Sequence, residues 1–414
     1  MKTLIKSVTI LDKRSPHHGK KRDVLIEKGR ITDIASTISN AKGRVIQDKE
    51  LYLSPGWIDM QADFADPGYE FREELYSGTR AARAGGFTRV VLLPSVLPVA
   101  DTKGAIEYLT RRSPLNGVHL LPAGALSEQM QGKQMAELFD MHLSGAVAFT
   151  DGKESVGTEL LVRSLEYTRN FDGLVITFPL DKGVNPKGQM HEGKTSVSMG
   201  VKGLPGLSEE IRISRDLDLL RYAGGRLHIS LISSARSVQL IRQAKKEGLN
   251  VTCGIAAHQL SFTDADMAGF DSNLKVLPPF RENSDIKAII EGLKDGTIDV
   301  ICSDHSPYDT EHKKREFEDA SFGISGIQTA FNAILSSAKG LPVERIADAL
   351  STRPAGILKV DLPVIDKGAD AELTLFSTHG QTEFTDKTWM SRSRNSPFFN
   401  TTMPGRVIEV FTKD

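Results

Sequence analysis

A long alternation of short apolar runs and helix-like segments is the feature of this sequence that most constrains its fold. Runs such as residues 90–93 and 300–301 have the length and composition of buried strands. Between such runs, segments such as residues 235–247 and 284–294 repeat their apolar side chains at helical spacing. Because repeated strand–helix units favour a parallel sheet covered by helices, residues 55–360 are predicted to form a TIM-type (β/α)8 barrel of the α/β class.

The two ends of the chain have a different pattern. Residues 1–54 alternate apolar and polar side chains between turn signals, which is typical of short antiparallel strands. Residues 361–414 contain similar apolar runs at 373–376 and 407–411. We therefore predict that residues 1–54 and 361–414 pair into one small β-sandwich domain beside the barrel.

Composition and charge narrow the classes of partner. The chain is 39% apolar and 25% charged, which is ordinary for a globular protein, and its formal net charge is −1. Without a long basic tract, no nucleic-acid partner is expected. No segment approaches the roughly 20 apolar residues of a membrane span, and the first residues lack the apolar core of a signal peptide. Cys253 and Cys302 lie in apolar strand-like runs, which favours buried free thiols and a cytoplasmic protein.

Seven motifs, spread in order over nearly the whole chain, resemble those of the dihydroorotases of the amidohydrolase superfamily, especially the longer bacterial type. They are residues 55–59, 81–88, 190–193, 203–206, 301–307, 322–326 and 391–398. The resemblance implies a barrel of pyrimidine biosynthesis, in which histidines, an aspartate and sometimes a carboxylated lysine hold zinc. In such enzymes a zinc-bound hydroxide attacks the ring amide of dihydroorotate, and the reverse reaction closes carbamoyl aspartate.

The resemblance also locates the family's metal-ligand positions, and most of them carry other residues here. These positions are Gln61, Asp63, Asp151, Phe178, Leu231 and Asp304. Gln61 and Asp63 stand where the family has two histidines, and two-residue spacing on a strand places both side chains on one face. Phe178 and Leu231 replace two further histidines and offer no lone pair to a metal. Asp151 and Asp304 match the family's acids, and Asp304 is the candidate for a vestigial base.

Positions that contact substrate in the family are also altered. Ala65 replaces an arginine that grips the substrate carboxylate, Ser95 replaces an asparagine, and Leu277 replaces a polar residue. Alanine cannot replace the guanidinium–carboxylate fork, which is a strong and geometrically specific contact. His258 and His305 match family positions that are not primary metal ligands, and both are expected to be satisfied polar residues near the barrel mouth.

The favoured interpretation is a catalytically inactive dihydroorotase homologue with no metal or other cofactor. The resemblance implies a structural or regulatory role beside aspartate carbamoyltransferase, the preceding pyrimidine enzyme, and a homodimer is expected for barrels of this type. The alternative is an active dihydroorotase with zinc in a rearranged site of Asp63, Asp151 and Asp304, with help from His228 or His258.

Other interpretations remain open at the sequence level. Gln61, Asp63, Asp151 and Asp304 could form an all-oxygen magnesium or calcium site, or their carboxylates could share a proton or pair with Lys153. A different hydrolase, or a protein that binds a small ligand, could use the more apolar pocket. The basic run at residues 312–315 is expected to be a solvated loop, with docking of an acidic partner as its functional alternative.

Overall fold

The computed structural model describes residues 2–39 and 43–413, which contain seventeen strands and twelve α-helices. The strands are β1 (Lys2–Ile10), β2 (Lys21–Glu27), β3 (Arg30–Ala35), β4 (Arg44–Ile46), β5 (Leu51–Pro55), β6 (Trp57–Ala62), β7 (Phe87–Leu92), β8 (His119–Gly124), β9 (Ala148–Phe149), β10 (Val175–Thr177), β11 (Met190–His191), β12 (Gly203–Leu204), β13 (Leu227–Ile229), β14 (Val251–Ala256), β15 (Val300–Cys302), β16 (Leu373–Phe384) and β17 (Thr401–Phe411). The helices are α1 (Leu75–Ala84), α2 (Lys103–Thr110), α3 (Leu138–Leu143), α4 (Thr158–Thr168), α5 (Lys194–Met199), α6 (Leu207–Ala223), α7 (Ala235–Lys246), α8 (Asn283–Lys294), α9 (Thr310–Lys313), α10 (Ala330–Ser337), α11 (Val343–Leu350) and α12 (Thr352–Leu358).

Eight parallel strands form the barrel, in the order β6, β7, β8, β9, β10, β13, β14 and β15. Where β6 meets β15, the Asp63 amide donates to the His305 carbonyl at 2.8 Å, and the Ser303 amide donates to Asp59 Oδ1 at 2.9 Å. These bonds bring the first and last strands together. The (β/α)8 fold predicted from the alternating pattern is confirmed.

The strands are apolar because the barrel buries both of their faces. All six residues of β6 are buried, and so are five of the six residues of β7. Helices such as α7 and α8 are amphipathic instead: Val238 and Ile241 of α7 and Ile289 and Leu293 of α8 are buried. The continuous apolar runs therefore correspond to the inner layer of barrel strands. The apolar residues at helical spacing correspond to the outer layer of helices that packs on it.

The strands at the two chain ends form a separate seven-stranded sheet, in the order β17, β16, β5, β1, β2 and β3, with β4 beside β1. Strands β5 and β16 pair antiparallel, with Pro55 opposite Leu373, so the amino-terminal and carboxy-terminal segments meet as predicted. Ile5, Val24 and Leu375 contribute to the core of this sheet. The domain limits at residues 54 and 361 stay a prediction.

Within residues 2–39 and 43–413, no helix has both the length and the apolar character needed to cross a bilayer.

Candidate active site

The carboxyl ends of the barrel strands bring the implied ligand positions to one face of the barrel. Gln61 lies near the end of β6 and Asp63 follows it, while the other four positions lie one to two residues beyond strands β9, β10, β13 and β15. TIM-barrel enzymes build their active sites on this face. The structure therefore gathers these positions at the barrel mouth, and their individual contacts decide what they can do.

Asp304 is buried and bonded to two neighbouring side chains. Lys153 Nζ donates to its Oδ2 at 2.8 Å, and Gln61 Nε2 donates to its Oδ1 at 3.1 Å. Burial raises the pKa of Asp304 above its ordinary value, and the Lys153 charge opposes that rise. Both carboxylate oxygens therefore have partners within the protein. Of the alternatives left open by the sequence, the structure has the one in which a carboxylate at the barrel mouth pairs with Lys153.

Asp151 faces the segment that follows β8. Its Oδ1 accepts from the amides of Leu126 and Ser127, both at 2.9 Å, and its Oδ2 accepts from the Ser127 hydroxyl at 2.5 Å. Burial raises the pKa of this carboxyl, while the bonds from Ser127 and Leu126 lower it. With these three bonds, Asp151 holds a loop in place.

Asp63 forms an ion pair with Arg72, a residue that the sequence analysis did not single out. The distance from Arg72 Nη2 to Asp63 Oδ2 is 2.7 Å, and both side chains are almost fully buried. Arg72 Nε also donates to the Pro307 carbonyl at 2.9 Å, and its guanidinium lies 4.2 Å from the centre of the Tyr308 ring. No local sequence pattern connects Asp63 with Arg72, because a turn and a loop separate them.

Apolar side chains fill the side of the barrel mouth where the resemblance implies two histidines. Phe178 and Leu231 belong to one buried cluster, and Leu277 packs against it. The other members of this cluster are Leu180, Leu204, Ala256 and Cys302. Leu204 comes from β12, outside the barrel strands. The apolar character expected at Phe178, Leu231 and Leu277 is thus present as a packed cluster, and Leu204 of β12 completes it.

Three non-glycine residues at the mouth have left-handed backbone conformations. The φ angles are 57° at Ala65, 52° at Leu231 and 47° at Asp304. Such conformations cost free energy in residues with a side chain, and they concentrate at functional sites. Two of these residues, Ala65 and Leu231, are at positions where the resemblance implies other side chains, and the third, Asp304, matches the family's acid.

The two mouth histidines have different surroundings. His305 Nε2 lies 3.4 Å from the buried carboxylate of Glu73, and its ring packs edge-on against Phe64. His258 is 2% exposed, and neither ring nitrogen has a hydrogen-bond partner among the described residues. Burial lowers the pKa of His258 to about 3, so its ring is neutral. Nε2 of His305 likewise has no hydrogen-bond partner within the part of the chain that the structure describes, so the expectation that both histidines are satisfied polar residues stays a prediction. Ser95 is half-buried in the loop after β7.

These residues do not fit a zinc ion. Phenylalanine and leucine cannot coordinate a metal, and Asp63, Asp151 and Asp304 already bond to Arg72, Ser127 and Lys153. Across residues 2–39 and 43–413, no three His, Cys, Asp or Glu side chains are grouped so that they could hold a metal ion. Asp63, Asp151 and Asp304 do not form such a group, so these positions do not assemble an all-oxygen site either.

Comparisons with known proteins agree with the motifs. The family model "Dihydro-orotase-like" matches residues 51–237, and "Amidohydrolase family" matches residues 187–414. The dihydroorotase of Syntrophus aciditrophicus (strain SB) is 38% identical over 99% of this chain and 97% of its own length. The dihydroorotase of Pelotomaculum thermopropionicum is 37% identical over 96% of this chain and 94% of its own length.

Solved structures with the same fold are more distant in sequence. The L-hydantoinase of Arthrobacter aurescens has a TM-score of 0.84 at 22% identity, covering 98% of this chain and 93% of its own. The dihydropyrimidinase of Brevibacillus agri NCHU1002 has a TM-score of 0.82 at 21% identity, covering 100% of this chain and 94% of its own. At such identities the likeness concerns the barrel fold alone. The curated relatives and the family models together establish that this chain belongs to the dihydroorotase family of the amidohydrolases.

Proposed function

We propose that this chain is a non-catalytic dihydroorotase homologue that serves as a structural or regulatory partner of aspartate carbamoyltransferase. The observation that carries the proposal is the chemistry of the barrel mouth. Each carboxylate at an implied ligand position already bonds to a cation or to hydrogen-bond donors of the protein, and hydrocarbon occupies two further positions. The choice of aspartate carbamoyltransferase as the partner rests on the resemblance, since inactive members of the family are associated with that enzyme.

The internal cations oppose metal binding at the mouth. The Lys153 ammonium lies 2.8 Å from Asp304, and the Arg72 guanidinium lies 2.7 Å from Asp63. A divalent ion near either carboxylate would meet a like charge at short range, which is unfavourable in a site with little solvent. The same two cations are not free to replace the substrate-binding arginine lost at Ala65, because each is already paired with a carboxylate.

A working dihydroorotase with a rearranged metal site is the second candidate. Its specific support is the set of curated relatives named dihydroorotase, eight of which are 34–38% identical to this chain over nearly its full length. This candidate needs new nitrogen ligands. His228 is buried on β13, with Nδ1 2.8 Å from Thr252 Oγ1, and burial lowers its pKa to about 3. His258 would have to act with carboxylates released from Lys153 and Arg72.

The deciding experiment measures metal content and dihydroorotate hydrolysis on protein purified without chelator and then supplied with zinc. We expect no stoichiometric metal and no turnover, together with co-sedimentation with aspartate carbamoyltransferase from the same organism. Near-stoichiometric zinc and turnover that Asp304→Ala abolishes would overturn the proposal in favour of the second candidate.

Restoring the first histidine pair alone should not restore activity. In the variant Gln61→His/Asp63→His, Phe178 and Leu231 still block two ligand positions, and Ala65 still leaves the substrate carboxylate without its cation. The expected result is turnover indistinguishable from the uncatalysed rate in a zinc-supplemented hydrolysis assay. Strong turnover by this double variant would show that the remaining positions are not needed, and our account of the mouth would be wrong.

A further inference from the structure

A groove of about 570 Å³ lies at the junction between helix α1 of the barrel and strand β17 of the small sheet. We define the junction groove by three residues of α1 and three of β17: Tyr76, Arg80, Arg83, Val407, Ile408 and Val410. Val407 packs against the barrel core and Ile408 against the core of the sheet. The floor of the groove therefore belongs to both parts of the molecule.

Strand β17 is an edge strand of its sheet. It stands at the end of the strand order, with β16 as its neighbour on one side. On the other side, the Val410 carbonyl accepts a hydrogen bond from Arg83 Nη2 at 2.8 Å. The N–H and C=O groups of one residue in an antiparallel strand point the same way, so Val410 turns its main chain into the groove. Another extended chain can add a strand to an edge of this kind.

Two arginines of α1 give the groove a positive charge. Arg83 Nη1 lies 3.3 Å from the Asn116 carbonyl, and its other partners, two oxygens within residues 410–412, are also uncharged. Arg80 is exposed, with its Nη2 3.1 Å from the sulfur of Met390. Neither guanidinium forms an ion pair with an acidic side chain of residues 2–39 and 43–413.

Glu409, the acidic residue in the lining, does not cancel this charge. Its carboxylate lies 2.7 Å from Arg44 Nη1, so it is already paired with another cation. The charges of Arg80 and Arg83 therefore remain for a ligand. A guanidinium binds a carboxylate through a directional fork of N–H donors, which makes a carboxylate the matching group.

An exposed aromatic ring stands beside these cations. Tyr76 is 56% exposed, and the guanidinium carbon of Arg80 lies 5.9 Å from the centre of its ring. The side-chain amide of Asn116 donates to the Tyr76 carbonyl at 3.1 Å, which ties this turn of α1 to the loop before β8. Tyrosine and arginine are enriched among the residues that dominate binding energy at protein interfaces.

We infer that the junction groove binds an extended acidic segment of another protein, whose main chain pairs with the edge of β17 while its carboxylates bond to Arg80 and Arg83. The inference goes beyond the proposed function and uses no residue of the barrel mouth. A second copy of this chain fits less well, because pairing two β17 edges would bring the arginines of both copies together. An acidic segment meets the opposite charge at the same place.

The basic run at residues 312–315 offers less to such a segment. Lys313 is 3% exposed, and its Nζ donates to two main-chain carbonyls at 2.8 Å and 3.1 Å. The solvated loop expected from the sequence is therefore wrong at this residue. His312 Nδ1 lies 2.9 Å from the carboxylate of Asp309, an acid of the same turn.

Fluorescence anisotropy with three labelled peptides tests the groove on the full chain. The first peptide alternates glutamate with valine over ten residues, and the second has glutamine in place of every glutamate. The third has the first sequence with a methyl group on every main-chain nitrogen, which keeps the charge and removes the donors for strand pairing. We expect the first peptide to bind at least tenfold more tightly than either of the others.

Arg80→Glu should weaken binding of the acidic peptide at least tenfold, with an unchanged melting temperature as the check on folding. The matched control is Lys287→Glu, which changes the net charge equally at an exposed helical residue outside the groove. This control should bind like the original protein. Equal loss in both variants, or no preference for the acidic peptide over the glutamine peptide, would overturn the inference.

Two further results would replace the proposed occupant. Equal binding of the methylated peptide, or tighter binding of a single-stranded oligonucleotide of equal charge, would mean that the groove attracts anions without pairing a strand. A homodimer that Arg80→Glu strengthens or dissociates in sedimentation velocity would mean that a second copy occupies the groove. We expect the oligomeric state of Arg80→Glu to equal that of the original protein.

Discussion

At the scale of residues, two carboxylates at the barrel mouth form ion pairs with cations of the protein itself. Lys153 and Arg72 each lie within 2.8 Å of a carboxylate, Asp304 and Asp63 respectively. A buried carboxylate without a partner is costly, so a side-chain cation beside Asp304 and another beside Asp63 keep both acids compatible with folding. The acids can then persist without a catalytic role, which explains why Asp304 alone is weak support for activity.

The variant Lys153→Met tests this balance. Removing one partner of a buried pair costs about 3–5 kcal/mol, because the other charge stays buried. One fifth of the Lys153 side chain is exposed, so we expect the lower end, about 3 kcal/mol at pH 7. Urea unfolding measures the loss, and Lys153→Met/Asp304→Asn should recover most of it. A loss below about 0.5 kcal/mol would mean that the pair does not stabilise the fold.

The pH dependence of that loss provides a second check. Burial raises the pKa of Asp304 above its ordinary value, and removing Lys153 raises it further. A raised folded-state pKa favours folding at low pH, and this contribution is lost as the pH rises through that pKa. The deficit of Lys153→Met should therefore shrink between pH 7 and pH 4. Lys182→Met, which removes an exposed partner of Glu154, should cost about 0.5 kcal/mol or less over the same range.

At the scale of elements, the short ribbon of β11 and β12 covers part of the mouth and depends on one buried guanidinium. Arg281, 2% exposed, bonds to Ser233 Oγ at 2.9 Å and to the Leu204 carbonyl at 3.1 Å. It also lies 3.0 Å from His191 Nδ1 and 3.3 Å from Glu209 Oε2. Arg281 thereby joins both ribbon strands to the loop after β13 and to helix α6.

Arg281→Met should loosen the ribbon more than the barrel. The change removes bonds to both ribbon strands and leaves Glu209 without its cation, and bonds to charged groups contribute about 1.5–3 kcal/mol each. We expect limited proteolysis within residues 186–206 to become at least about tenfold faster, since local opening becomes cheaper. Arg215→Met on the same helix α6 is the control, because Arg215 bonds to Asp216 and the Val156 carbonyl. Equal acceleration in both variants would contradict the role of Arg281.

At the scale of the whole molecule, the sequence predicted the repeating parts and missed the contacts between distant parts. The barrel followed from alternating strands and helices, whereas the loss of metal ligands at Phe178 and Leu231 was implied by the resemblance and stays a prediction. The pairing of Asp63 with Arg72, and of Leu204 with the apolar cluster, depends on loops that meet only in the folded chain. Periodicity reports which face of an element is buried, and it carries no information on such contacts.

The melting temperature in the presence of metal is a property of the whole molecule. It tests, without an activity assay, whether the barrel mouth binds zinc. A ligand that binds only the folded state adds about 4 kcal/mol at a thousand times its Kd, which would raise the melting temperature by several degrees. Because Asp63, Asp151 and Asp304 are already bonded and two implied ligand positions carry apolar side chains, we expect equal melting temperatures, within about 1 °C, in EDTA and in micromolar zinc. A rise that saturates at one equivalent and disappears in Asp304→Asn would place a metal at the mouth. A rise that survives Asp304→Asn would instead come from zinc bound elsewhere on the protein.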